Sequence, residues 1–296
     1  MKINFGVIGT NVITERFLEA GKDAEGFCLR GVYSRSMEKA VDFARKHGAD
    51  LAFDSLEDMA SCKEIDAVYV ASPNSLHASQ SIQMLKGGKH VLCEKSIASN
   101  QREFEEMKKA ALEKRRILLE AMRSVYSPGF QAIRENLHKL GKIRRVSFQY
   151  CQYSRRYDNF KKGIIENAFN PALSNGALMD IGVYCVHPLV SLFGKPEKVI
   201  SSSLKLSNGI DGAGTILTEY PDFQGELLYS KITDSRVPSQ IQGEEGSMVI
   251  REFLRLIREK RYSHEYLENS RMEIELMDEV RRQQKIFFPA DRKSDH

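Results

Sequence analysis

The chain has 296 residues, enough for two compact domains on the usual scale of roughly 100–200 residues each. Its 44 basic and 40 acidic side chains leave a net charge of +4 and are scattered, without the basic arm or stripe of a nucleic-acid binder, so no nucleic-acid partner is expected. No apolar run approaches the ~18 residues of a membrane span, the N-terminus enters a strand without a signal peptide, and five cysteines (Cys28, Cys62, Cys93, Cys151, Cys185) without a C-x-x-C pair read as reduced cytoplasmic thiols, with no membrane partner and no metal site expected.

Residues 3–8 read as a short strand, Gly9-Thr10-Asn11 as a turn, and 12–22 as a helix with Val12, Ile13, Phe17, Leu18 and Ala20 spaced along one face. Such a strand-turn-helix aims the backbone N–H groups of Gly9, Thr10, Asn11 and Val12 at a bound pyrophosphate. Only the first of the three fingerprint glycines is present, with Asn11 and Thr14 at the other two places, and asparagine can supply positive φ or an amide to a phosphate oxygen. The second strand, 27–33, ends in Ser34-Arg35-Ser36 with no acid to hold a free ribose 2′-hydroxyl. Ser34 and Arg35, with Lys39 as helper, therefore favour NADP(H), while NAD(H) stays open and Arg35 has the plainer reading of a solvated helix start.

A short strand near Leu51 and a helix at 56–61 lead to the apolar strand 66–72, covered on both faces. Ser72-Pro73-Asn74 then makes a cofactor-side loop, with Asn74 or Ser75 capping the helix to Lys86, and His77 is set aside as a hydrogen-bonded helix residue. The strand from Lys89 releases Glu94, Lys95 and Ser96 at its carboxyl end, where ligands of open parallel sheets bind. A helix at 101–114 and a strand at 117–121 complete six strands alternating with helices: an α/β fold with an N-terminal Rossmann doubly wound parallel sheet, residues 1–122.

Residues 123–296 read as an α+β domain for substrate binding and oligomerisation, with an open, mainly antiparallel sheet. Its elements are a helix from Ser127-Pro128 to Lys139 and strands at 143–153, 198–206, 215–220 and 225–233, arranged as a meander covering the crevice of the first domain. Between them, 176–188 forms a helix with Leu178, Ile181, Cys185, Leu189 and Leu192 on a core face and Asp180, Tyr184 and His187 together on a polar one. Pro188 is expected to kink it at the turn holding Tyr184.

The Gly9 turn, Glu94-Lys95 and Gly176-x-x-x-Asp180-x-Gly182-x-Tyr184 together resemble the Gfo/Idh/MocA oxidoreductases over nearly the whole chain. The resemblance assigns the catalytic lysine of the family's Glu-Lys-Pro motif to Lys95, with Ser96 in place of proline, and the Asp-x-x-x-His pair to Asp180 and Tyr184. Tyrosine there looks like the dihydrodiol dehydrogenase and glucose-fructose oxidoreductase branch. The family has further sheet strands between Ile250 and Glu252, where here a helix is expected at once, so the second domain reads as shortened after 250; a homodimer through that sheet is implied.

The chemistry expected is hydride transfer between a nicotinamide cofactor and a hydroxyl or carbonyl carbon of a sugar, polyol or related small molecule. Tyr184 acts as acid and base beside the Lys95 ammonium, Asp180 orients Lys95 or a substrate hydroxyl, and Glu94 contacts the nicotinamide ribose. Arg123, Tyr153, Arg156 and Tyr157 are further candidates for the substrate wall. The competing reading is a non-enzymatic NADP(H) sensor or scaffold that retains the fold.

Overall fold

The computed structural model describes residues 2–250 and 265–292, and these divide into two compact units, Met1–Ala121 and Met122–His296. The first unit alternates β1 (Ile3–Ile8), α1 (Val12–Lys22), β2 (Phe27–Tyr33), α2 (Met37–His47), β3 (Leu51–Phe53), α3 (Leu56–Ser61), β4 (Ala67–Val70), α4 (Asn74–Lys86), β5 (His90–Cys93), α5 (Gln101–Lys114) and β6 (Leu118–Glu120). All pairings are parallel and the strand order is β3-β2-β1-β4-β5-β6, which reverses direction between β1 and β4. Serine and asparagine side chains start the helices: Asn11, Ser36, Ser55 and Asn100 each accept backbone N–H groups of the first turn. The exception is α4, whose first residue is Asn74 itself and whose cap, Pro73, makes no side-chain bond; the expected capping by Asn74 or Ser75 does not occur. Val7, Val32 and Tyr69 from the sheet pack with Leu18 and Phe43 from its helices into the core.

The second unit contains α6 (Pro128–Asn136), β7 (Ile143–Cys151), α7 (Arg155–Lys161), α8 (Val183–Phe193), β8 (Lys198–Lys205), β9 (Asp211–Glu219), β10 (Gln224–Ser230), β11 (Ser239–Gly243), β12 (Ser247–Ile250) and α9 (Glu265–Gln284). Its sheet runs β12-β11-β7-β10-β9-β8 and is antiparallel except where β10 lies parallel to β7, pairing Val146 with Gly225 and Phe148 with Leu227. The sheet is mainly antiparallel, as expected; the meander is interrupted by the central parallel pair, because β7 and β10 are separated by α7, α8 and a hairpin, a crossover long enough for parallel pairing. Helices α8 and α9 pack together, α8 against β7 and β10 and α9 against β8. The face turned away from these helices carries Ile200 and Leu217, register partners that are 49% and 48% exposed. The helix expected immediately after Ile250 lies outside the described residues. Residues 171–193 are long and apolar enough to pass as a membrane span by composition, yet 72% of that window is buried inside the protein.

Candidate active site

In the first unit the register sets the ends of the central strands level with one another. Ile8 pairs with Tyr33 and Val70, and Val70 with Cys93, so Gly9, Ser34, Ala71 and Glu94 follow one another along the carboxyl edge of the sheet. Gly9 has φ +107°, and a Cβ there would lie 2.7 Å from the Ala71 carbonyl oxygen, so the turn needs glycine on both counts. Asn11 behaves differently from expectation. Its backbone is extended at φ −99°, its Oδ1 accepts from the N–H of Ile13 (2.9 Å) and Thr14 (3.2 Å), and its amide donates to Ala71 O at 2.7 Å. The side chain thus caps α1 and ties the turn to β4, using one N–H of its amide. Val12, at the first position of α1, is 63% exposed, an apolar surface that a bound dinucleotide would cover.

After β2, Ser34 Oγ accepts from Ser36 N–H at 3.5 Å, while Arg35, just before the Ser36 cap, and Lys39, in the first turn of α2, are exposed. After β4, Ser72 and Pro73 are half-buried and Asn74 buried. After β5, Glu94 accepts the Tyr69 phenol, Lys95 is half-buried, and the Lys95–Ser96 peptide is cis. His77, set aside from sequence, joins two of these loops: its Nδ1 lies 2.8 Å from Ser96 O and its Nε2 2.8 Å from Ser72 O. Burial pushes the pKa of this imidazole down. Its helical position gave no hint of either carbonyl.

In the second unit, 178–182 is a π-turn in which Val183 N–H reaches back to Leu178 O, and α8 follows without a break. Pro188 does not end or divide α8, which continues to Phe193; the irregular turn falls earlier than expected, around Asp180. Gly176 precedes it at φ +137°, and a Cβ there would collide with Oδ1 of Asp211. Asp211, at the start of β9, is buried and accepts the N–H of Leu178 at 2.6 Å, holding the opening of the π-turn. Burial pushes its carboxyl up to about 6, while the backbone donors of Leu178 and Ala177 and the Lys231 ammonium act in the opposite sense.

Asp180 and Tyr184 are both half-buried, four residues apart across the end of this turn. Lys231 donates to Asp180, and its ammonium stands 4.9 Å over the ring of Phe169. The Tyr184 ring meets Tyr150 edge-on at 5.5 Å between centroids. His187 does not share this setting. It is fully buried and paired with Glu273 of α9, because the wide turn offsets the polar face that a regular helix would have kept continuous.

Of the substrate-wall candidates, Tyr157 packs on Phe169 at 5.9 Å and so adjoins the ring under Lys231. Tyr153 donates to Asp158 at 2.7 Å and accepts from Lys161 at 2.9 Å, and Arg156 of α7 pairs with Glu166 at 3.4 Å. Arg123 is half-buried just beyond the first unit. Lys231, Asp211 and Tyr150 were missed: a lysine just past a strand, an aspartate opening another and one tyrosine of an alternating strand carry no motif.

Residues 3–122 match a family model described as an oxidoreductase family with an NAD-binding Rossmann fold, and residues 130–249 match the GFO/IDH/MocA C-terminal domain. The chain is 44% identical to the scyllo-inositol 2-dehydrogenase (NADP(+)) IolU of Bacillus subtilis over 98% of this chain and 99% of that one. It is 30% identical to trans-1,2-dihydrobenzene-1,2-diol dehydrogenase of Xenopus laevis over 86% of this chain and 77% of that one. Among solved structures, the WlbA dehydrogenase of Bordetella pertussis, in complex with NADH and UDP-GlcNAcA, has the same fold at TM-score 0.82 and 18% identity, covering 96% of this chain and 97% of that one.

Proposed function

Because the chain belongs to the GFO/IDH/MocA oxidoreductase family, we propose that it transfers hydride between NADP(H) and a ring carbon bearing a hydroxyl or carbonyl on an inositol-like polyol. It is a nicotinamide-dependent oxidoreductase acting on CH–OH groups of small molecules. The cofactor preference rests on one observation, the exposed Arg35 beside Ser34 at an end of β2 that offers no acid to a 2′-hydroxyl. The Gly9 turn fits a dinucleotide, since its positive φ brings bare backbone to the sheet edge, with the exposed Val12 beside it.

When bound, the nicotinamide supplies or accepts the hydride. The protein handles one proton and the orientation of the substrate. A free phenol, with pKa ~10, exchanges its proton poorly near neutrality. In this reading Tyr184 takes the hydroxyl proton in oxidation and returns it in reduction, and Lys95 has the role of the lysine in the family's Glu-Lys-Pro motif. Asp180 accepts a neighbouring hydroxyl, and Glu94, fixed by Tyr69, holds the nicotinamide ribose. Ser72, Pro73 and Asn74 line the cofactor side, Tyr157 the substrate side, and Arg123 keeps its candidacy there.

We also read the chain as a homodimer through the outer face of the second sheet, where Ile200 and Leu217 lie exposed side by side. A cytoplasmic setting suits its five free cysteines.

The test is to titrate NADPH and NADH by fluorescence quenching, for the parent and for Arg35→Ala, and then to offer inositols, aldoses, ketoses and dicarbonyls. Expected are a roughly 10-fold or greater loss of NADPH affinity in the variant, NADH being little changed, and turnover of inositols. Unchanged NADPH affinity defeats the cofactor reading, and cofactor binding without oxidation of any polyol defeats the substrate reading.

A further inference from the structure

Lys231 is 3% exposed at the end of β10, a position from which an ammonium cannot reach bulk water. Its backbone is fixed on both sides. The Lys231 N–H donates to Gly212 O at 2.9 Å, its carbonyl accepts from Ser154 N–H at 2.8 Å, and Ser230 Oγ accepts the N–H groups of Ile232 (3.2 Å) and Thr233 (3.0 Å). The side chain leaves this fixed point, crosses the face of Phe169 and ends on the carboxylate of Asp180. An apolar residue of similar length would fill the same space without the cost of burying a charge. What the ammonium adds is charge and direction at Asp180.

We propose that Lys231 is a positioning residue for the hydride-transfer reaction: it grips the Asp180 carboxylate and keeps it charged and aimed, so that Asp180 can accept a hydroxyl of the polyol. The assignment rests on the reading of Asp180 as a site residue given above. Lys231 reaches Asp180 from the end of β10, its ammonium also acts on Asp211 at the start of β9, and Tyr184 follows Asp180 by four residues. Lys231 lies within electrostatic reach of both carboxylates. Without that ammonium the Asp180 carboxylate would lose the cation that favours its charged form.

The experiment compares Lys231→Met, Lys231→Arg and Asp180→Asn by kcat/KM against pH at saturating NADP⁺, alongside NADPH affinity and thermal unfolding. For Lys231→Met, the acid limb should move up by about one to three pH units and kcat/KM near neutrality should fall at least about 10-fold. NADPH affinity should stay within about twofold, and Lys231→Arg should return the limb most of the way. A Lys231→Met profile that superimposes on the parent, or an arginine variant displaced as far as the methionine one, overturns the proposal. Should Lys231→Met fail to fold, Lys231→Gln, which still hydrogen-bonds but carries no charge, is read by the same criteria. Full activity in Asp180→Asn would instead remove Asp180 from the site, a failure of the underlying reading. An inactive Asp180→Asn beside an unmoved Lys231→Met limb removes only the role of the lysine.

Discussion

The carboxyl of Asp211 is surrounded by apolar groups and backbone N–H donors, and burial holds its pKa at about 6, against ~3.9 for an ordinary aspartate. Between these values the unfolded chain has lost a proton that the folded chain keeps, so this group's contribution to stability is full below the lower value and lost as pH rises through the upper one. Asp211→Asn has no proton to lose. Its unfolding temperature relative to the parent should therefore climb between about pH 4 and about pH 7, and a constant difference would show that Asp211 titrates normally. Lys95→Met tests the other end of the chemistry: turnover should drop by at least about 100-fold while NADPH binding is largely kept, whereas equal loss of both would mark the lysine as structural. Lys95 and Arg35 could be read from sequence because each directly follows a strand of the parallel sheet. Lys231 could not, since it is 51 residues from Asp180 and only the folded sheet brings them together. Tyr184 suggested the dihydrodiol dehydrogenase branch, and the chain's relatives include such an enzyme at 30% identity beside the inositol dehydrogenase at 44%.

At the level of elements, the segment from Gly176 to Gly182 shows how much a spacing pattern can carry. Apolar residues three and four apart identified a helix, and it is there. A single π-turn adds one residue to an otherwise regular helix and leaves no mark in the apolar spacing, so the sequence could not tell that 178–182 winds more widely, nor that His187 would pair with Glu273. Pro188 lies inside α8, which runs on to Phe193. Gly176→Ala probes the start of this segment, where a methyl group would meet the Asp211 carboxylate in a backbone region hostile to side chains. A loss of about 1–3 kcal/mol in denaturant unfolding is expected, together with lowered kcat/KM as the turn carrying Asp180 shifts. Near-parental stability would mean that Asp211 moves aside freely.

Over the molecule as a whole, the six-stranded parallel sheet was legible almost to the residue, because strands covered on both faces read as continuous apolar runs between amphipathic helices. The second sheet was less so. Its alternating strands announced themselves, but β11 lacked a strong pattern, and the parallel contact of β7 with β10 joins strands far apart in sequence. The bare outer face of that sheet leads to a prediction about assembly: Ile200→Asp combined with Leu217→Asp should turn a dimer into a monomer in light scattering without lowering the unfolding temperature of the monomer. A parent protein that is already monomeric would refute the dimer.

His77 has a mechanical meaning for the first unit. One imidazole lies between the loop that follows β4 and the loop that follows β5, each ring nitrogen 2.8 Å from a carbonyl oxygen; neutral, it donates its single N–H to one of them and packs against the other. On the proposed assignment of these loops, a displacement of either is felt by the other through this one side chain.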